Sequence, residues 1–146
     1  MQTHAYCGGA QPTPERMAEI TKARIFPNKK CFIRSGNKND PAKKPIASFV
    51  SDSTGNFSVD LPEGTYCIVD EKKNDKKFYD DILKNHKDNT KLNEAVDMAC
   101  LKNWLNTPDF VFTVKKNKEN KIEITFHFPC SWDAIPCVQY RGPLPP

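Results

Sequence analysis

The 146-residue sequence has no run of 18 apolar residues, so no transmembrane segment is expected. No two cysteines stand in a Cys-x-x-Cys pair, which argues against a zinc ribbon or a thioredoxin-type site. Arginine is scarce, with Arg16, Arg24, Arg34 and Arg141 alone. A nucleic-acid binder would want arginines and exposed aromatics together on one face, and with four arginines no nucleic-acid partner is expected. There is no glycine-rich phosphate loop, no Ser-His-Asp signature, no carboxylate pair at a useful spacing and no internal repeat. No signal peptide can be read either, since Met1-Gln2-Thr3-His4 leads straight into Cys7-Gly8-Gly9.

What is present is lysine, proline and a dispersed set of cysteines. The net charge of +4 and pI near 8.7 are mildly basic. The lysines come in pairs (29–30, 43–44, 72–73, 76–77, 115–116) with acids between them. That pattern reads as a solvated surface, with an anionic partner as the alternative. The length suits one domain with a core of its own. Cys7, Cys31, Cys67, Cys100, Cys130 and Cys137 form an even, scattered set, which fits disulfides in an oxidising compartment. The expectation is an exported protein (periplasmic, secreted or cell-surface) whose leader is not part of this sequence. Cys7 and Cys137 fall in terminal loops, where a bridge restrains the most chain entropy. For Cys100 the expected partner is Cys130 or Cys137, a pairing that would tie a helical region and the tail to the strands. Cys31 and Cys67 lie within strands and read as buried or bridged. Sequence alone cannot choose among the pairings.

The patterning is mostly β. The stretch 49–71 holds three short apolar runs separated by Ser53-Thr54-Gly55-Asn56 and Pro62-Glu63-Gly64, two turn signals. Phe57, Val59 and Leu61 alternate with Ser58 and Asp60, so the spacing predicts a meander of three strands. An earlier strand is expected over 30–34. Alternation at Phe110, Phe112 and Val114, and again at Ile122, Ile124, Phe126 and Phe128, predicts an antiparallel pair. Thr13-Pro14-Glu15 reads as a helix start, with the helix running to about Ala23. Phe78, Ile82 and Leu83 fit one face of a short helix. Asp88-Asn89-Thr90 can cap a second, with Leu92, Ala95, Val96, Ala99 and Trp104 inward. The layout is a single domain over 1–146, with strands in 24–71 and 109–128, a helical insertion over 76–106 and a proline-rich tail over 129–146.

Thr54-Gly55-Asn56-Phe57-Ser58-Val59 followed by Leu61-Pro62-Glu63-Gly64-Thr65-Tyr66 resembles the carboxypeptidase regulatory-like domain, over roughly 24–71. The resemblance implies a mainly β fold, an antiparallel transthyretin-like (prealbumin-like) β-sandwich, here with an N-terminal helix and a two-helix insertion. It implies a non-catalytic binding module with an unknown protein or carbohydrate partner and no cofactor. Trp132 and Tyr140 are the candidates for an exposed aromatic binding patch.

A second, shorter resemblance lies in the tail. His127-Phe128-Pro129 and, ten residues on, Tyr140-Arg141-Gly142 are similar to the end of 5-hydroxyisourate hydrolase, and Thr3-His4 can be likened to its N-terminal motif. The resemblance implies His127 and His4 activating water, with Arg141 in the closing motif stabilising an oxyanion. Pro143 stands where that family ends in serine, and Asn56 where it has an arginine. A third reading is a Cys/His metal protein using His127, Cys130, Cys137 and Cys100, although the tight ligand pairs of a zinc site are missing.

Overall fold

The computed structural model describes residues 1–88 and 92–143. Its elements in chain order are β1 (Gln2–His4), α1 (Pro14–Thr21), β2 (Lys30–Ser35), β3 (Ala47–Val50), β4 (Gly64–Asp70), α2 (Glu71–Asn74), α3 (Lys77–Asn85), α4 (Met98–Asn106), β5 (Phe110–Val114) and β6 (Phe126–Phe128). A turn of 3₁₀ helix follows at Ser131–Asp133. The centre is a four-stranded antiparallel sheet in the order β3-β2-β4-β5, and a two-stranded parallel ribbon joins β1 to β6. No described helix is long and apolar enough to cross a membrane.

Pairing partners in an antiparallel sheet share a face, so the register sorts its side chains. Cys31 and Ile33 pair with Asp70 and Ile68, and Ala47 and Phe49 pair with Ile33 and Cys31. With Tyr66, Phe110, Phe112 and Val114 they form one apolar face. Its cover is not a regular second sheet. Residues 57–61 and 121–125 run extended above it and pack Phe57, Val59, Leu61, Ile122 and Ile124 onto it. Phe57 stacks on Phe49 with centroids 4.0 Å apart.

Two expectations therefore change. The middle run of the meander, 57–61, is extended but joins no ladder, and β2 rather than 57–61 lies beside β3. The two turns that flank 57–61 lift it onto the apolar side chains, and its alternating pattern serves that contact instead. The predicted pair of 110–114 with 122–128 is also absent. Phe126–Phe128 instead takes the N-terminal strand as neighbour, with Phe126 donating to the Met1 carbonyl (3.0 Å) and the Met1 ammonium donating to Ile124 (2.7 Å).

The turn before 57–61 is built by one carboxylate. Asp52 accepts from the Thr54 amide (2.8 Å), the Thr54 hydroxyl (2.7 Å) and the Asn56 amide (2.9 Å). These donors, the hydroxyl foremost, hold its pKa below the ordinary value. Gly55 sits at φ +79°, and a Cβ there would come within 2.9 Å of Ile25, so both conformation and space call for glycine.

The other face carries Arg34, Cys67 and Val69 and is covered by the loop 36–45, α2 and the end of α4. Beyond it Ile82, Leu101 and Val138 form a second core, with Phe78, Leu83 and Trp104 packed around them. Thr13 caps α1 as expected, accepting from the Arg16 amide, but the helix stops at Thr21. The expected cap at Asn89 and Thr90 lies outside the described residues. The helix that carries Trp104 starts later, where Asp97 accepts from the Cys100 amide.

Two disulfides join Cys7 to Cys130 and Cys100 to Cys137, so Cys100 takes one of its two expected partners. Cys31 and Cys67 are free and buried. Of the six disulfide candidates these two are corrected, and the register gives the reason: they sit on opposite faces of the sheet.

Candidate functional site

A hollow lies between the apolar face and its irregular cover. It is a cleft of about 710 Å³, walled by sheet residues that include Cys31, Ile33, Phe49 and Phe112. Val59, Leu61, Ile122 and Ile124 close it from the other side. A small-molecule site spans about 300–1,000 Å³ and is mostly apolar with a few placed polar groups, so the size is right for one. The cleft exists because 57–61 and 121–125 lean on the sheet through side chains alone. Among the described residues, no backbone hydrogen bond draws these two segments together.

Polar groups enter from the cover, where Asn56, Asp60, Lys121 and Glu123 line the cleft, and from the edge that carries Ser51 and Lys29. Ser51 is buried, its hydroxyl donating to the Phe26 carbonyl (2.7 Å) and accepting from the Lys29 amide (2.9 Å). The Lys29 ammonium pairs with Asp70 at 3.3 Å and lies over the rings of Phe26 and Phe126, 5.6 and 5.1 Å from their centroids. Asp70 is itself held in place, because it caps α2 through the Lys72 and Lys73 amides. At the back of the cleft Cys31 is 1% exposed, and burial pushes its thiol up to about 12 despite the nearby Lys29. Cys67 is likewise raised by burial, against the pull of Arg34. Neither thiol is poised as a nucleophile.

The residues of the hydrolase-like tail divide into two groups. Thr3 and His127 are register partners on β1 and β6, and Thr3 Oγ1 lies 2.6 Å from His127 Nδ1 in a hydrogen bond. His4 is the next residue along and stacks on Phe128. Both imidazoles are exposed and border a shallow hollow of about 550 Å³. Arg141 borders neither this hollow nor the cleft. Its guanidinium pairs with Glu94, and its amide donates to the Leu92 carbonyl. The neighbouring residues have a local task. A Cβ on Gly142 would run into the Tyr140 ring, whose hydroxyl donates to the Pro143 carbonyl (3.0 Å). Tyr-Arg-Gly is thus a tail turn in this fold.

Trp132 is half-buried on the 3₁₀ turn, and Tyr140 is half-buried beside Gly142. In the metal reading, Cys130, Cys137 and Cys100 are all spent in disulfides, which leaves His127 without a thiolate to join it. Among the described residues no three His, Cys, Asp or Glu side chains gather to hold a metal. Sequence reading passed over Lys29, Ser51 and Arg34. The signal for Arg34 was available: it breaks the apolar alternation of β2 at a position that proves 4% exposed.

No family model, no curated protein and no solved structure matches this chain.

Proposed function

We propose that this chain is a non-catalytic, exported binding module, a transthyretin-like β-sandwich of the carboxypeptidase regulatory-like type. The observation that carries the reading is the cleft of about 710 Å³ above an apolar sheet face. The two extended segments that roof it, 57–61 and 121–125, occupy the place of a sandwich's second sheet. The two disulfides support export, since such bonds persist in oxidising compartments. The cleft offers apolar contact from the sheet face and from Val59, Leu61, Ile122 and Ile124, with polar and charged groups making up the rest of its wall, which suits a small ligand with an apolar body.

Titration with a neutral apolar fluorophore such as N-phenylnaphthylamine tests it. Saturable binding at one site is expected, lost in Val59→Trp, which fills the cleft, and retained in Ser48→Lys on the opposite face. No saturable binding, or equal binding by the Val59→Trp protein, would remove this reading.

The second reading is a transthyretin-related hydrolase, favoured by the hydrogen bond between Thr3 and His127 on the β1–β6 ribbon. There, water would be activated by His127, while His4, stacked on Phe128 at the next register position, would have to turn from the opposite face and Arg141 would have to leave Glu94 to reach an oxyanion. A spectrophotometric assay on freshly made 5-hydroxyisourate decides: a rate above buffer that disappears in His127→Ala establishes the enzyme.

A further inference from the structure

Two lysine runs far apart in sequence are brought together by buried polar side chains. Arg34 donates through Nη1 to the Lys43 carbonyl and through Nη2 to the carbonyl and the Oδ1 of Asn74. Asn39, 3% exposed, donates through Nδ2 to the carbonyls of Lys73 (2.7 Å) and Leu105 (2.8 Å). The loop 36–45 is thereby pinned against α2 and the turn into α3. Lys38, Lys43, Lys44, Lys72, Lys76 and Lys77 are all exposed around this junction.

The charge balance singles out the same place. Segments 34–45 and 70–77 hold eight of the Lys and Arg residues against four acids, whereas the rest of the chain holds 14 against 14. The whole net charge of +4 resides here. Three of the four acids are already engaged. Asp70 caps α2 and pairs with Lys29. Asp75 accepts from the Lys77 amide, and Asp40 accepts from the Ala42 amide and reaches Lys43 at 3.7 Å. Among the described residues, Lys44, Lys72, Lys76 and Lys77 have no ion pair.

We infer that this surface binds an acidic polysaccharide carrying repeated sulfate groups. Lysine ammonium groups on a fixed scaffold match anions repeated along a chain. Base stacking is poorly served, because Lys72 and Lys76 already lie over the rings of Phe78 and Tyr79, 5.1 and 5.7 Å from their centroids. A lipid surface is also poorly served: none of the large exposed hydrophobics falls in these two segments. The surface lies on the side of the sheet away from the cleft, so it stands or falls independently of the ligand proposed there.

The test is calorimetric titration with heparin at an ionic strength of about 0.15 M. Replacing Lys43, Lys44, Lys76 and Lys77 by Gln is expected to weaken binding about tenfold or more and to flatten its salt dependence. Replacing Lys115, Lys116, Lys118 and Lys121 by Gln removes the same charge from another part of the chain, and is expected to change affinity by less than about threefold. Circular dichroism checks that both proteins fold. The inference is overturned by absent heparin binding, by equal weakening in both variants, or by tighter binding to phosphatidylserine vesicles or a single-stranded oligonucleotide.

Discussion

The two faces of the four-stranded sheet are covered by opposite means. One is apolar, and its cover touches it through Phe57, Val59, Leu61, Ile122 and Ile124 without backbone hydrogen bonds between the covering segments. The other has Arg34 and Cys67 at its centre, and its cover is fixed by directed bonds from Arg34, Asn39 and Lys73. Apolar contact is non-directional, so a cover held that way can stand off and leave a cleft. Buried polar groups must meet partners at defined geometry or lose stability, so a cover held that way is drawn in at the points where Arg34, Asn39 and Lys73 donate. The proposed ligand seat lies on the first side and the fixed charged surface on the second.

The largest effect expected is on the apolar face itself. Ile68→Ala, at a fully buried position, is expected to cost about 3–4 kcal/mol in urea unfolding. On the opposite side, replacing both Cys100 and Cys137 by Ser is expected to cost about 3 kcal/mol. An unchanged midpoint there would mean that packing alone holds the tail to α4. Asp109→Asn leaves the Lys73 ammonium, 2.8 Å away and 10% exposed, without its counter-charge, and is expected to cost about 2–3 kcal/mol. Val59→Ser in the loose cover is expected to cost only about 1 kcal/mol. A loss as large as that of Ile68→Ala would abolish the contrast between sheet and cover.

A further effect is seen only at alkaline pH. Cys31 ionises at about 12 when folded against an ordinary 9.0. Between these values the unfolded chain has released the proton and the folded one keeps it, so stability falls as pH rises through that window. Cys31→Ala is expected to flatten this part of the profile, with no change in slope below about pH 8.

Local patterns were legible in the sequence, and their partners were not. Alternation located the extended runs at 57–61 and 122–128 because it reports which side of a run is buried. It does not say whether the backbone finds a ladder, and here both runs depend on side-chain contact or on a distant N-terminal strand. The Asp52 turn and the Thr13 cap were readable because their bonds span two to four residues. Cys31 and Cys67 read as buried or bridged, and the choice for burial was not legible, since sheet face follows from register and register is a long-range property. The candidate sites divide in the same way. Thr3 and His127 meet because β1 and β6 pair, whereas His4 falls one register position on, against Phe128, and Arg141 is held by Glu94 on the helical side.

The disulfide from Cys7 to Cys130 closes nearly the whole chain into one covalent loop, spanning 123 positions. Tension applied between the two ends would travel through residues 1–7, the sulfur–sulfur bond and residues 130–146, bypassing the sheet entirely. Those 24 residues stretch to roughly 80 Å at about 3.5 Å each, against roughly 500 Å for the open chain. Under a pulling force the oxidised protein would thus be a short link whose four-stranded sheet and basic surface stay outside the loaded path.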